Sequence, residues 1–384
     1  MRLTNIDYNQ YKLKDICSIY IGLTHTPVYV ESGVKFISSK NISNDVLDLK
    51  DINYISNEEF NIITNSAKPN KGDILFTRVG SNLGHPVIYE LDEEICIFVS
   101  LGYIRVKEEL VKNTYIKHWM NSQNFWNQVK RKTAGAAKIN LNNGWMYDFD
   151  IKIPSLENQQ LISDFISKLD YRISTQNKII DKYESLENQI KDILLWKNAE
   201  GKKVKLSNII FEISDKSTIQ NQHAILSSTV KGLFLQSEYF DKEIASSNNI
   251  GYKVVHKGDV IISPQNLWMG NITYNDKFDN GLVSPSYKIF QINSNYNSIY
   301  ISYLLRTYRA LYLYKCVSEQ GASVVRRNLN LEAFNELIFT IPSIEYQNKV
   351  ADILDGLKRQ VFNEKRYLNQ LNKQKQFLLN NLFV

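Results

Sequence analysis

Cysteine, proline and glycine are all scarce in this sequence. Its 384 residues include 3 Cys, 7 Pro and 16 Gly. Cys17, Cys96 and Cys316 lie far apart with no CxxC spacing, which argues against a disulfide framework and against a cysteine zinc site. The N-terminal residues lack the apolar stretch of a signal peptide, and no apolar run reaches about 18 residues. We therefore expect a cytoplasmic protein with two or three globular units, since 43% of its residues are hydrophobic.

The sequence also lacks the spacings that common catalytic and metal sites require. It contains no GxxxxGK[ST] phosphate loop, no HExxH pair and no ProPro of the adenine methyltransferase motif. A DxK triplet begins at Asp150, but such triplets are common by chance. Metal-ligand spacing is missing from the five histidines, which are His25, His85, His118, His223 and His256. We therefore expect neither a catalytic centre nor a metal site in this chain.

The formal net charge of +6 is unevenly distributed along the chain. Residues 1–199 carry 24 basic and 24 acidic side chains, whereas residues 200–384 carry 22 basic and 16 acidic ones. A mild excess of this kind permits binding to nucleic acid but does not require it, because many enzymes that never contact DNA are equally basic.

Two segments of nearly the same sequence indicate an internal repeat. IPSLENQQLISDF begins at Ile153 and IPSIEYQNKVADI begins at Ile341, 188 residues later. KGDILFTR at Lys71 matches KGDVIISP at Lys257 in the same way. The other pairs are YKLKDI with VKLSNI, FISSKNI with ILSSTVKG, FVSLGY with LVSPSY, and GAAKINL with GASVVRRNL. Six pairs in one order indicate two divergent copies of one module; a duplication that merely enlarges the protein is the simplest alternative.

The repeat divides the chain into four segments. We predict module 1 over residues 1–154, a first long helix over 155–199, module 2 over 200–342 and a second long helix over 343–384. Short β-rich stretches such as KVKLSNIIFEI and LVSPSYKIFQI indicate a mixed α/β fold for each module. The predicted fold class is α+β, with two tandem mixed α/β modules that are joined and followed by two long antiparallel, coiled-coil-like helices.

Each long segment has the apolar periodicity of a coiled coil. Pro154 and Ser155 are start signals for the first helix, and Gly201 is a stop signal. We expect the two narrow seams to pair antiparallel, with the modules at opposite ends; pairing with helices of a separate protein is the alternative. The predicted seams are Ile162, Phe165, Leu169, Ile173, Ile180, Tyr183, Leu186, Ile190 and Leu194, and Val350, Leu354, Leu357, Val361, Leu368, Leu371, Leu378 and Leu382.

The order of these motifs resembles that of the specificity subunits of type I restriction-modification systems. The most specific parts are KGDILFTRVGSNLG and the doubled IPS-x-E-x-Q helix start, and the resemblance covers the whole chain. It implies a non-catalytic, DNA-reading subunit in which each module is a target recognition domain. Two different modules would read two half-sites separated by an unread spacer, which makes the target bipartite and asymmetric.

The same resemblance implies the partners and cofactors of a complex. The long helices would form a spacer and a docking surface for two modification subunits, which bind S-adenosylmethionine and methylate adenine at N6. Two restriction subunits, when present, would add translocation and cleavage driven by ATP with Mg²⁺. No cofactor is expected on this chain, and its own partner is double-stranded DNA.

Candidate DNA contacts in module 1 follow from the resemblance and from side-chain chemistry. Ser38, Ser39, Lys40 and Arg78 occupy positions that approach DNA in the family, and an arginine can pair bidentately with guanine. A surface arginine in a salt bridge is the alternative for Arg78. The backbone-contact candidates are the basic run Lys130, Arg131 and Lys132, for which a solvated helix face is the alternative, and the loop residues Lys138 and Asn140.

Module 2 departs from this pattern, because Pro264 stands where module 1 has Arg78. Its amide candidates are Gln265 and Asn266, since an amide can pair bidentately with adenine. Trp268 either stacks on a base or lies in the core. The remaining candidates are Ser227 and Ser228, which match the module 1 serines, and Arg326 and Arg327, adjacent arginines suited to phosphate contacts.

Two other functions are compatible with the sequence. A stand-alone DNA-binding regulator would have the same modules without a methyltransferase partner. A purely structural coiled-coil adaptor would leave the divergence between the modules unexplained.

Overall fold

The computed structural model describes residues 6–63, 65–80, 83–134, 140–197, 200–240, 248–320 and 327–383. It divides into two compact units. Unit 1 comprises Met1–Lys178 with Arg366–Val384, and unit 2 comprises Ile179–Lys365. Each unit therefore contains one module together with a part of both long helices.

Module 1 combines short strands with five helices before the first long helix. Its strands are β1 (Asn9–Lys12), β2 (Cys17–Ile21), β3 (Val34–Ile37), β4 (Ile42–Ser43), β5 (Val46–Leu47), β6 (Asn53–Ile55), β7 (Ile74–Thr77), β8 (Pro86–Ile88), β9 (Ile95–Ile97), β10 (Leu101–Val106) and β11 (Asp150–Ile153). Its helices are α1 (Leu13–Ile16), α2 (Asn57–Ile62), α3 (Asn113–Met120), α4 (Gln123–Thr133) and α5 (Asn143–Tyr147), followed by the long α6 (Leu156–Asp192).

Module 2 repeats this composition. Its strands are β12 (Lys202–Lys205), β13 (Ile210–Ile213), β14 (Leu226–Thr229), β15 (Gly232–Leu235), β16 (Lys253–His256), β17 (Val260–Ile262), β18 (Ile272–Tyr274), β19 (Asn280–Val283), β20 (Lys288–Ile292), β21 (Ser318–Gln320), β22 (Arg327–Leu329) and β23 (Ile338–Ile341). Its helices are α7 (Leu206–Ile209), α8 (Gln236–Tyr239), α9 (Ser298–Leu304), α10 (Tyr308–Cys316) and α11 (Leu331–Asn335), followed by the long α12 (Ile344–Leu382).

The two modules share the topology of their central sheet and of one short ladder. The central four-stranded sheet has the order β2-β10-β7-β8 in module 1 and β13-β20-β17-β18 in module 2. In each module a separate two-stranded ladder, β1 with β11 or β12 with β23, joins the first strand to the strand that precedes the long helix. The predicted internal repeat is therefore a repeat of fold as well as of sequence. Among the described residues, no helix is long and apolar enough to cross a membrane.

The repeated KGD motif forms the turn that leads into a central strand. Gly72 and Gly258 have φ values of 92° and 95°, a region that favours glycine. The following aspartates are buried, and each accepts a hydrogen bond from a backbone N–H three residues before it, Asp73 from Asn70 at 2.6 Å and Asp259 at 2.7 Å. The motif is thus conserved between the modules because the turn needs both residue types.

The two aspartates differ in their charged partners. Arg105 donates two hydrogen bonds to Asp73, from Nε at 2.9 Å and from Nη2 at 2.6 Å. Within the described residues, no arginine pairs with Asp259. Burial raises the pKa of the Asp259 carboxyl, and the neighbouring His256 lowers it.

We expect Asp73→Asn to lower the free energy of unfolding by about 2 kcal/mol, less than for a fully buried pair because Arg105 is partly exposed. The matched Asp259→Asn should change it by less than about 0.5 kcal/mol in urea denaturation, since the amide still accepts from the backbone. Equal losses in both variants would contradict this.

The glutamine of the IPS-x-E-x-Q motif fastens the start of each long helix to its module. Gln159 is fully buried; it accepts a hydrogen bond from Lys112 N at 2.8 Å and donates to Pro154 O at 2.9 Å and Leu110 O at 3.1 Å. Gln347 makes the equivalent bonds to the residue before α9 and to the proline of its own IPS segment, both at 2.9 Å. These matching hydrogen bonds of the glutamine explain why the IPS-x-E-x-Q motif occurs in both modules.

The two long helices run antiparallel within each unit. In unit 1, Lys375 of α12 pairs with Asp170 of α6 at 2.7 Å, and Leu382 packs in the same core as Ile162. In unit 2, where the opposite parts of the helices meet, Tyr346 near the start of α12 donates to the carbonyl of Leu194 at 3.0 Å. The predicted antiparallel pairing is confirmed.

The predicted seam of α6 is wrong at several positions. Ile162, Leu169 and Ile180 are buried, but Phe165 is 53% exposed and Leu186 is 43% exposed. Ile166, which lies outside the predicted seam, is fully buried in the core of module 1. The physical reason is that the first turns of α6 pack against α3 and the sheet of module 1 as well as against α12, so the buried stripe follows the module rather than a heptad.

Candidate nucleic-acid interface

We call the segment between β7 and β8 loop 1; its described residues are 78–80 and 83–85. Arg78 at its start is only 4% exposed. Its side chain donates to two backbone carbonyls, Nε to Leu141 at 3.0 Å and Nη1 to Val99 at 3.0 Å, and burial lowers its pKa. This geometry gives Arg78 a structural role, because its guanidinium joins loop 1 to two distant segments. A direct contact of Arg78 with a base stays a prediction.

Other predicted residues of module 1 lie around the same junction. The backbone N–H of Ser39 donates to Ser100 Oγ at 3.0 Å, and the carbonyl of Ser100 accepts from Arg78 N at 2.9 Å. Asn140 is exposed and forms a β-bridge with Val79 of loop 1. The structure thus brings the SSK segment, loop 1 and the segment that begins at residue 140 together, although they are distant in sequence.

The remaining candidates of module 1 are Ser38 and several basic residues. Ser38 lies in extended backbone beside Lys40, whose ammonium pairs with Asp51 at 3.1 Å. Lys130 and Arg131 lie exposed on the last turn of α4, where Lys132 pairs with Asp148 at 3.5 Å. Lys138 lies outside the described residues. Their contacts with DNA stay predictions.

Module 2 has the equivalent loop between β17 and β18, which we call loop 2 (residues 264–271). The carbonyl of Gln265 accepts from Arg327 N at 3.2 Å, so loop 2 is joined to the segment after β21 as loop 1 is joined to Asn140. The side chain of Gln265 is exposed, and Asn266 is half-buried. Arg326 lies outside the described residues. Loop 2 therefore presents an exposed amide directly after Pro264, which stands where loop 1 begins with the buried Arg78.

Trp268 of loop 2 is half-buried between two cations. The Lys315 ammonium and the Arg327 guanidinium each lie 5.9 Å from its ring centroid, and the Arg327 guanidinium also donates to the carbonyl of Ser318. The indole Nε1 is buried and, among the described residues, has no hydrogen-bond acceptor. Lys315 was not among the predicted contacts; its position six residues before the GASVVRRNL segment was a weak sequence signal for it.

The serines of module 2 differ from those of module 1. Ser227 and Ser228 are 7% and 2% exposed. Ser228 Oγ donates to Asn271 Oδ1 at 3.0 Å and lies 2.9 Å from Thr273 Oγ1, so it holds the end of loop 2 against β14. Ser228 therefore positions loop 2, whereas Ser227 Oγ accepts a hydrogen bond from Gln236 Nε2 at 3.4 Å. Contact of either serine with DNA stays a prediction.

A second exposed feature lies on the helix pair of unit 1. An apolar groove with a cavity volume of about 1360 Å³ runs between α6 and α12. Phe165, Tyr171 and Phe377 are 53%, 74% and 67% exposed there. We call this surface the helix groove; its other lining residues are Asp164, Ser167, Lys168, Leu169, Arg172, Lys373, Gln374 and Leu378. Three large exposed rings on one surface are typical of a protein interface.

Comparison with protein families identifies the class to which these modules belong. The family model of the type I restriction modification DNA specificity domain matches residues 5–185 and, a second time, residues 202–373. The two matches cover most of the chain, one for each module. The chain belongs to this family, and its two modules are the DNA recognition domains of a type I specificity subunit.

Two solved structures have a similar fold. One is the S subunit of a type I restriction-modification system from M. genitalium, which is 14% identical, has a TM-score of 0.59, and matches 100% of this chain and 98% of its own. The other comes from work on complex assembly and conformational transition of the type I R-M system; it is 14% identical with a TM-score of 0.59 and matches 98% of this chain and 97% of its own. The predicted fold class, two tandem mixed modules with two long helices, is thereby confirmed.

Proposed function

We propose that this chain reads a bipartite, asymmetric DNA site for a type I restriction-modification complex, one half-site for each module. The observation that carries this proposal is the contrast between the two loops on one scaffold. Loop 1 begins with Arg78 and Val79, and loop 2 begins with Pro264 and Gln265, although both follow equivalent strands. Equal scaffolds with unequal loops suit two modules that read different bases.

In this proposal the residues of each module divide into base contacts and backbone contacts. Gln265, which is exposed, and Asn266, which is half-buried, suit adenine, because a side-chain amide pairs with its N6 and N7. Trp268, with its unpaired indole N–H, suits a contact at the edge of the half-site. The backbone contacts of the proposal are Lys40, Lys130, Arg131, Asn140 and Arg327. The proposal also keeps Arg78, Ser38, Ser39, Ser227 and Ser228 as DNA contacts, and Arg78 and Ser228 hold the loops in place as well.

The proposal includes the partners of the complex. Two modification subunits dock on the helices, bind S-adenosylmethionine and methylate adenine at N6. Two restriction subunits, when present, use ATP and Mg²⁺. The chain itself carries no cofactor, catalyses no reaction and works in the cytoplasm. The exposed rings of the helix groove support such docking in unit 1.

The experiment that tests this function is methylation mapping. The chain is co-expressed with the neighbouring modification subunit in a methylation-free host, and N6-methyladenine is mapped by single-molecule sequencing. We expect one bipartite motif that appears only when this chain is present. In Gln265→Leu, methylation should lose its dependence on one base pair of one half-site, because a bidentate amide contributes about 1–3 kcal/mol of discrimination. A stable complex that adds no methylation would favour the stand-alone regulator instead.

A further inference from the structure

The internal repeat allows each residue of module 2 to be compared with its counterpart in module 1. Asn121 directly precedes Ser122, the N-cap of α4, and Arg306 directly precedes Thr307, the N-cap of α10. The helices before them, α3 and α9, correspond as well, because the residue before each donates its backbone N–H to the glutamine side chain of a long helix, Lys112 to Gln159 and Asn297 to Gln347. Arg306 therefore stands in module 2 where module 1 has Asn121.

In module 1 this position faces a carboxylate of the protein itself. Asp45 is the second residue of the turn between β4 and β5 and has a left-handed backbone, with φ of 60°. Asn121 Nδ2 donates to Asp45 Oδ2 at 2.6 Å, and His85 Nδ1 lies 2.9 Å from Asp45 Oδ1. Asn121 thus holds one carboxylate oxygen of Asp45, and His85, the last residue of loop 1, holds the other.

In module 2 the hairpin turn that follows the paired serines carries a lysine, and not a carboxylate, at its second position. The second residue of the turn between β14 and β15 is Lys231, and it lines the same cleft as Arg306. Arg306 donates only to Ser302 of its own helix, from Nε to the carbonyl at 2.7 Å and from Nη2 to Oγ at 3.2 Å. Among the described residues no carboxylate lies within 4.0 Å of its guanidinium, and burial lowers its pKa. The Arg306 guanidinium lies 5.3 Å from the Tyr303 ring centroid and interacts at longer range with Asp276 and Glu187, so it has charged neighbours but no direct ion pair within the described part of the chain.

The cleft around Arg306 has a volume of about 420 Å³ and an excess of positive charge. Its two acidic side chains are already paired, Glu187 with Lys191 at 2.5 Å and Asp276 with Lys358 at 2.5 Å. The cations left without a carboxylate among the described residues are Lys231, Lys277 and Arg306. Three unpaired cations around one concave surface are suited to an oxyanion.

We propose that this cleft of module 2 binds a phosphate-class oxyanion, which takes the place that the Asp45 carboxylate fills in module 1. Arg306 donates to the anion from the floor of the cleft, and Lys231 and Lys277 add charge at its rim. The phosphate is either a free one or a backbone phosphate of bound DNA. Bound DNA would lie near this cleft, because the cleft includes Met269 and Gly270 of loop 2. This part of the inference rests on the proposed function.

Titration calorimetry of the purified full-length chain with inorganic pyrophosphate tests the site itself. We expect binding by the natural chain and at least a tenfold weaker affinity in Arg306→Gln and in Lys231→Asp. Lys231 is exposed in a hairpin turn, so its variant keeps the test valid if the loss of Arg306 disturbs folding. The control is Lys203→Gln, an exposed lysine outside the cleft, which should bind as tightly as the natural chain.

Duplex binding at several salt concentrations then distinguishes the two sources. If DNA supplies the phosphate, Arg306→Gln should reduce the slope of log K against log salt by about 0.9, the value for one phosphate. If the anion is free, that slope stays unchanged while pyrophosphate binding is lost. The proposal is overturned if Arg306→Gln and Lys203→Gln bind pyrophosphate equally and have equal salt slopes. A natural chain that binds no duplex would count against the proposed function alone, because the pyrophosphate experiment needs no DNA.

Discussion

Replacing Gln159 with leucine should lower the free energy of unfolding of unit 1 by about 3 kcal/mol. The substitution leaves three backbone groups without their partner, the N–H of Lys112 and the carbonyls of Leu110 and Pro154. Leaving a buried donor or acceptor unsatisfied costs about 1–3 kcal/mol for each group, and partial relaxation keeps the sum near the lower end. Leucine fits the same volume, so the effect reports lost hydrogen bonds rather than a cavity.

Hydrogen exchange is the measurement of choice, because the chain has two units and a single melting curve would average them. Amides between residues 110 and 120 should exchange more than a hundredfold faster in Gln159→Leu, since about 3 kcal/mol corresponds to a factor above 100. The control is Gln160→Leu on the exposed face of α6, where Gln160 bonds only Asp164. Gln347→Leu leaves two backbone groups without their partner instead of three, so we expect a smaller loss of the same kind next to α9. Unchanged exchange in both buried variants would show that these glutamines do not hold the helices.

The second large effect is expected at the helix groove. Substituting Phe377 with aspartate should weaken the complex with the modification subunit at least a hundredfold. Phe377 is 67% exposed in the free chain, so its burial by a partner contributes apolar contact there, and a buried aromatic anchor is typically worth 2 kcal/mol or more. A carboxylate at this position would also have to be desolvated on docking.

The complex is measured by co-purification and by titration of the modification subunit, with DNA binding of the isolated chain as the test of folding. Ile62→Asp provides the control, because Ile62 is 83% exposed on α2 and lies outside the groove. We expect Ile62→Asp to assemble normally and Phe377→Asp to keep its DNA affinity while losing assembly. Normal assembly of Phe377→Asp would place the docking surface elsewhere on the chain.

The sequence by itself determined the repeat, the fold class and the two long helices. These features depend on local sequence signals that occur once in each half of the chain. The signals are the turn glycine of KGD, the proline and serine before each long helix, and the apolar periodicity of the helices. It also indicated the family, because KGDILFTRVGSNLG and the doubled IPS-x-E-x-Q occur in one order. Both motifs prove to be structural, since Asp73 and Gln159 are buried and hydrogen-bonded to backbone groups.

The register in which neighbouring strands pair could not be predicted from the sequence. The similarity of FVSLGY and LVSPSY matches Tyr103 with Tyr287. The sheets instead pair Tyr103 with Leu75 and Ile289 with Ile261, the KGD-strand residues that correspond to each other. Tyr103 therefore corresponds to Ile289, two residues further on. A shift of two keeps every side chain on the same face of a strand, so the apolar pattern cannot distinguish the two alignments.

The environment of the candidate contacts was decided only by the tertiary structure. Arg78 lies in a polar, glycine-rich stretch that indicates a surface loop, yet its guanidinium meets carbonyls from segments 21 and 63 residues away. In the same way, the turn between β4 and β5 places the Asp45 carboxylate against Asn121, whereas the turn between β14 and β15 places Lys231 in the cleft of Arg306. Burial and charge pairing depend on which distant segments meet, and a pattern of neighbouring residues does not contain that information.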